Sequence, residues 1–217
     1  MPGGVVGAHL RGKQADFSWH AGVFSRGIME EFDDFDSGAA AVAGAAIDAP
    51  LWLEQGKLQL DYLYNPGGSG GEAFEPYHHT VSLWHKGERG RMSMGSDITY
   101  ADSLEGGGHI IGLTLEPAWR LLDAVSGNND PLQLALRYQY ARSSMDNGLN
   151  LQRRYEGEVT EGQGDRYQAI YLGLNYYLYD HKLKFMLGGE YARMDDDADD
   201  GGEYRGWSWF GAVRLYF

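Results

Sequence analysis

The chain contains no cysteine, which removes disulfides, thiol nucleophiles and thiolate metal sites. Cations are in short supply. Lys and Arg total 18 against 31 Asp and Glu, a formal net charge of -13. A nucleic-acid partner is therefore not expected, because a phosphate backbone is bound by concentrated Lys and Arg. Proline is scarce, at 6 of 217 residues. No apolar run reaches the roughly 18 residues of a membrane-crossing helix. That absence leaves membrane barrels open, since their strands alternate lipid-facing and lumen-facing residues and their mean hydropathy stays low. The opening Met1-Pro2-Gly3-Gly4 has neither the basic region nor the apolar core of an export signal. For an exported protein, this means a removed signal or a piece of a longer chain.

What is present is rich in glycine (32), tyrosine (15) and tryptophan (6). That combination suits β-structure with turns and an aromatic girdle better than a helical bundle. Segments of about ten residues alternate with period two and are bounded by Gly, Asn, Asp or Pro. The clearest is Leu132 to Tyr140. One face carries Leu132, Leu134, Leu136, Tyr138 and Tyr140, and the other Gln133, Ala135, Arg137 and Gln139. The same alternation runs through Phe17–Phe24, Leu58–Tyr64, Ile111–Arg120, Tyr171–Leu178 and Leu183–Ala192. Weaker versions are Val5–Lys13, Ala39–Leu53, Tyr77–Lys86, Arg91–Tyr100 and Tyr204–Phe217. About eleven strands result. A soluble sandwich would bury the apolar face against a second sheet, whereas a membrane barrel turns it to lipid and keeps the polar face wet.

Connections alternate in length. Gly12–Asp16, Glu54–Gly56, Gly87–Gly90 and Tyr179–His181 are short, and Ser126–Asp130 is intermediate. Gly27–Gly38, Asn65–Pro76, Ser103–Gly108, Ser143–Asp165 and Met194–Gly202 are long and polar. Tight periplasmic turns with long external loops are the pattern of outer-membrane barrels. The acidic runs Glu30–Asp36 and Asp195–Asp200 read as solvated loops, with divalent cations as a second use for their carboxylates. If Phe217 ends at the periplasm, Val5–Lys13 also runs inward. An odd strand count breaks the even-number rule of single-chain barrels, so at least one strand is expected to be missing.

The closing strand ends with Val213, Leu215 and Phe217 on one face. It resembles the C-terminal strand of outer-membrane proteins, whose terminal Phe is read by the barrel-assembly machinery. Alternation sends Arg11, Arg26, Arg120, Arg137, Lys184 and Arg214 to the lumen, with Asp61, Asp97, Glu116 and Glu190. These charges set a transverse field for small solutes, or brace neighbouring strands as ion pairs. Glu116 with Arg137, and Glu190 with Arg214, are the pairs that consecutive strands suggest. His78 and His79 are expected to point to opposite faces, which is not a metal pair. No metal or cofactor is expected. No Gly-x-Ser-x-Gly or HExxH motif occurs, and the loop serines, Ser143 and Ser144 included, lack the context of a nucleophile.

Several segments together resemble the phosphate-selective porin O and P family. They are Gly12 to Phe24, Ala49-Pro50-Leu51-Trp52, Tyr171 to Leu178 and the closing Arg214-Leu215-Tyr216-Phe217. The similarity would cover most of the chain as the C-terminal half of a family member. It implies a sixteen-stranded trimeric porin with an inward basic ladder. The strand Ala39 to Asp48 carries no Arg, although selective members place basic residues there, which argues against phosphate selectivity.

The expectation is thus an all-β, antiparallel transmembrane β-barrel in a bacterial outer membrane, one domain over residues 1–217. It would be a passive, non-enzymatic channel for small hydrophilic solutes or anions. Its partners would be outer-membrane lipid and lipopolysaccharide, the assembly machinery and two further copies in a trimer. Two competitors are a small monomeric barrel acting as a structural or adhesive surface protein, and a rim-active lipid-modifying enzyme.

Overall fold

A computed structural model describes residues 7–14, 16–25, 39–66, 77–103, 108–122, 132–150, 163–178, 183–197 and 202–215. Among these the chain is all-β. The strands are β1 (Gly7–Gln14), β2 (Phe17–Ser25), β3 (Ala39–Asp48), β4 (Gln55–Tyr64), β5 (Tyr77–Arg89), β6 (Met92–Ser103) and β7 (His109–Leu122). They continue with β8 (Leu132–Ser143), β9 (Leu149–Asn150), β10 (Gln163–Gly164), β11 (Arg166–Leu178), β12 (Leu183–Asp195) and β13 (Tyr204–Leu215). Eleven of them form one sheet in the order β1-β2-β3-β4-β5-β6-β7-β8-β11-β12-β13, each antiparallel to the next. β9 and β10 pair with each other inside the long connection after β8, a hairpin the alternation did not reveal. The clear and the weaker segments of the expected set therefore all appear as strands. The sheet is not closed: among the described residues β1 and β13 are edges with no partner strand.

Boundaries shift where local chemistry intervenes. The expected Ala39–Leu53 strand stops at Asp48. Pro50 cannot donate to a ladder, Leu51 sits at φ 53°, and Leu53 N–H closes the turn onto Pro50 O at 2.8 Å. The turn between β5 and β6 is Gly90-Arg91, with Gly90 at φ 54°, a conformation that costs glycine least. At His78 the β5–β6 register shifts. A bulge breaks strict alternation, so the His78 and His79 rings lie 4.2 Å apart instead of on opposite faces. Among the described residues no three or more His, Cys, Asp or Glu side chains come together as a metal site would need.

Register assigns every strand two faces. Rows such as Leu134–Leu174–Leu187 and Leu136–Leu172–Gly189 run across neighbouring strands on one face. This apolar face is exposed over its breadth: Leu172 is 51% accessible, Leu187 65%, Ile98 53% and Trp209 77%. Aromatics edge it at both ends. Tyr62, Tyr100, Tyr191 and Trp207 lie toward the long connections, and Phe17, Trp19, Tyr176 and Phe185 toward the short turns. The only buried apolar cluster among the described residues is small. Leu149 and Met194 pack with Ile110, Ala141, Tyr167 and Tyr204 at the long-connection end of the other face.

That other face is concave. His20 on β2 reaches Asp61 on β4 at 3.3 Å, across the whole of β3, although alternate strands stand roughly 9.5 Å apart in a flat sheet. Gly44 lies between them, and a side chain there would meet both. Arg137 on β8 likewise reaches Glu190 on β12 across β11. There the Tyr171 ring lies over Gly173 and Gly188, filling the space their side chains would take. Gly188→Val is therefore expected to displace Tyr171 and cost about 1–3 kcal/mol by overpacking. Chemical denaturation would read the loss, and a Gly188→Ser variant should fall between it and the parent.

Candidate functional site

The concave face gathers most of the charges that alternation sent inward. Arg11, Asp61, Asp97, Glu116, Arg137, Lys184, Glu190 and Arg214 share it by register. Arg120 shares it as well, opposite Gln133, but its guanidinium donates to Gly90 O in the short turn. Arg26 and Phe217 fall outside the described residues. Val213 and Leu215 are on the apolar face, 60% and 57% exposed.

Three carboxylates on this face, Asp61, Asp97 and Glu190, are supplied with donors. Asp61 accepts from Gln59 Nε2 at 2.8 Å and from Trp84 Nε1 at 3.1 Å, with His20 beside it. Asp97 accepts from Ser82 Oγ at 2.5 Å and from Thr99 Oγ1 at 2.7 Å. Glu190, 9% exposed at its side chain, accepts from Arg137 Nη2 at 2.7 Å. Arg137 also lies 5.5 Å from the Tyr171 ring centre, a cation–π distance.

The pairs differ from those that sequence neighbours suggested. Glu116 and Arg137 do stand opposite each other in the β7–β8 register, which resumes at Ala118–Ala135 beyond Pro117. The curvature nevertheless turns the guanidinium to Glu190. Glu190 cannot reach Arg214, because its β13 partner is Ser208 while Arg214 pairs with Lys184. Six residues along a strand are roughly 20 Å.

Cations sit nearer the short-turn end of the same face. Lys57 and Lys86 are cross-strand neighbours, and Lys184 and Arg214 are another such pair. Lys57 Nζ stands 5.9 Å over Trp84 and Lys184 Nζ 4.9 Å over Tyr177. A hollow of about 690 Å³ is lined by Arg11, Lys13, Lys57 and His20 with Asp16 and Asp48. A second, of about 450 Å³, joins residues of β1 to β5 around Asp61. Lys13, Lys57 and Lys86 were missing from the sequence-derived set. Parity could have found Lys13 and Lys57, since each is an even number of residues from Arg11 or Asp61, whereas Lys86 is placed by its pairing with Lys57.

Ser143 Oγ accepts from Met145 N–H, and Ser144 Oγ accepts from His109 N–H. The acidic run at Asp195 is not a solvated loop throughout. Asp195 and Asp196 are 8% and 7% exposed, the first inside β12 among arginines and the second accepting from Gly202 N–H.

No protein-family model matches the chain, and no curated protein matches it. The functional reading therefore rests on the two faces of the sheet.

Proposed function

We propose that this chain forms the wall of a bacterial outer-membrane channel of the porin type, passing small hydrophilic solutes by diffusion. One observation carries the reading: the face rich in Leu, Ile, Tyr and Trp points outward and is exposed, while the polar face is concave. In water that arrangement leaves far more apolar surface bare than a soluble monomer tolerates. In a bilayer it is the expected one, with an apolar outer band, aromatic girdles at both interfaces and a wet interior. The span from Trp207 to Leu215 matches the roughly 9–11 tilted residues that cross the hydrocarbon.

Bare strand edges are not tolerated in lipid. In this reading β1 and β13 are continued by further strands, in keeping with the sixteen-stranded, trimeric porin that the O/P resemblance implies. The mechanism is electrostatic. Asp61, Asp97 and Glu190 in the middle of the wall are tied to donors, and the cation pairs Lys57–Lys86 and Lys184–Arg214, with Asp48 opposite Lys57, set the field that a permeating ion meets near the short turns. A weak anion preference is the expectation, without a dedicated phosphate site.

Planar bilayers test this directly. The protein should give ohmic conductance steps, and Lys57→Glu with Lys86→Glu should move the reversal potential in a salt gradient toward cation preference. Correctly folded, membrane-inserted protein that passes no current would sink the channel reading.

A further inference from the structure

We infer that the outward face carries a binding site for a phosphate-bearing lipid, built from Arg142, Arg166, Arg193 and Arg205. The inference rests on the membrane reading above and assigns the headgroup that this part of the wall meets. Arg142 on β8 stands directly opposite Arg166 on β11, and Arg193 on β12 directly opposite Arg205 on β13. Like charges directly opposite on one face of a sheet repel. Two such pairs side by side in a chain of net charge -13 need an anion to hold them together.

The protein supplies one carboxylate. Asp195, 11% exposed at its side chain, lies 2.6 Å from Arg193 Nε, 3.3 Å from Arg166 Nε and 3.9 Å from Arg205 Nη2. One negative charge thus serves three guanidiniums, which remain 42–58% exposed. Arg142, also exposed, adds a fourth. Of the neighbouring acids, Asp165 and Asp196 are buried and accept from the backbone N–H groups of Asn147, Asp197 and Gly202, and Asp146, Asp197 and Glu203 are exposed.

Its height on the sheet selects the ligand. Arg193 and Arg205 form the row next to Tyr191 and Trp207, about 7 Å further along the strands. Aromatic belts lie at headgroup level, so the guanidiniums stand where lipid phosphates are. Arginine's planar fork suits a phosphate bidentately. The acyl chains of the same lipid would lie down the apolar rows below, along Ile170, Leu172 and Leu187. A free phosphate has no use for those rows.

The test uses the full chain folded into phosphatidylcholine vesicles. Lipid A bearing both phosphates, its dephosphorylated form, or inorganic phosphate is then added. Lipid A should raise the unfolding midpoint and remain bound after detergent extraction, and the dephosphorylated form should do neither. Arg166→Gln with Arg193→Gln should weaken lipid A retention by at least about tenfold, the loss expected from even one of the two charge-assisted contacts removed. Arg89→Gln, at the opposite end of the sheet, should leave it unchanged. Equal effects from lipid A and its dephosphorylated form, or from inorganic phosphate alone, would overturn the lipid-phosphate site while leaving the channel reading intact. Failure of the chain to insert into phosphatidylcholine would overturn both.

Discussion

Arginine in place of Leu172 is expected to destabilise the membrane-inserted protein by about 2–4 kcal/mol. Leu172 lies mid-row on the apolar face, between Leu136 and Gly189, and is half exposed. Its surroundings in this reading are hydrocarbon, where a guanidinium loses its hydration. In a protein whose apolar face met water, the same change at an exposed site would fall within about 0.5 kcal/mol. The two environments therefore predict results that differ by far more than measurement error. Gln139→Arg supplies the internal control. Gln139 is on the concave face beside Ala169, so an arginine there stays wet and should be nearly neutral. Urea unfolding from vesicles would compare the pair. Equal stability for both variants would show that the apolar face does not meet lipid.

The second large effect is expected at the brace between Arg137 and Glu190. Glu190→Ala should cost about 1–3 kcal/mol, between an exposed ion pair and a buried one. Glu190 is nearly buried while Arg137 is 38% exposed, so solvent softens the loss without removing it. Arg137 Nε is already buried without a hydrogen-bond partner, and removal of the carboxylate takes the contact at Nη2 as well. The double variant Arg137→Leu, Glu190→Ala should recover part of the cost. A double-mutant cycle would express the coupling directly. Additive losses would mean that the 2.7 Å contact contributes nothing of its own. The same variants test the proposed channel. Loss of the carboxylate leaves Arg137 over Tyr171 without its anchor, and single-channel recordings should become noisier if this concave face lines the pore.

Much of this architecture is legible in the amino-acid order because strand periodicity is local. Successive side chains alternate faces whatever the neighbours do, so the sides of Leu134, Leu172, Glu190 and Arg137 follow from parity once each strand is recognised. The antiparallel order follows from short turns between successive segments. Parity also places Lys57, although its contribution emerges only when Lys86 is seen as its cross-strand neighbour. The exceptions have local causes too, but ones that alternation does not signal. Pro50 ends β3 early, and a bulge at His78 brings two imidazoles together.

Partnerships across the sheet are different in kind. Glu190 meets Arg137 rather than Arg214 because register slides Arg214 toward the short turns and curvature folds β8 toward β12 over β11. His20 finds Asp61 only because Gly44 leaves the intervening strand bare. Asp195 reads as part of an acidic loop until three strands carry Arg166, Arg193 and Arg205 to it. Residue order carries the side on which each group stands, since that depends on a two-residue repeat. The distance between groups on one side depends on register and curvature summed over many strands, and neither is written in any single segment. The open edges at β1 and β13 belong to the same class, since closure is a property of the whole sheet.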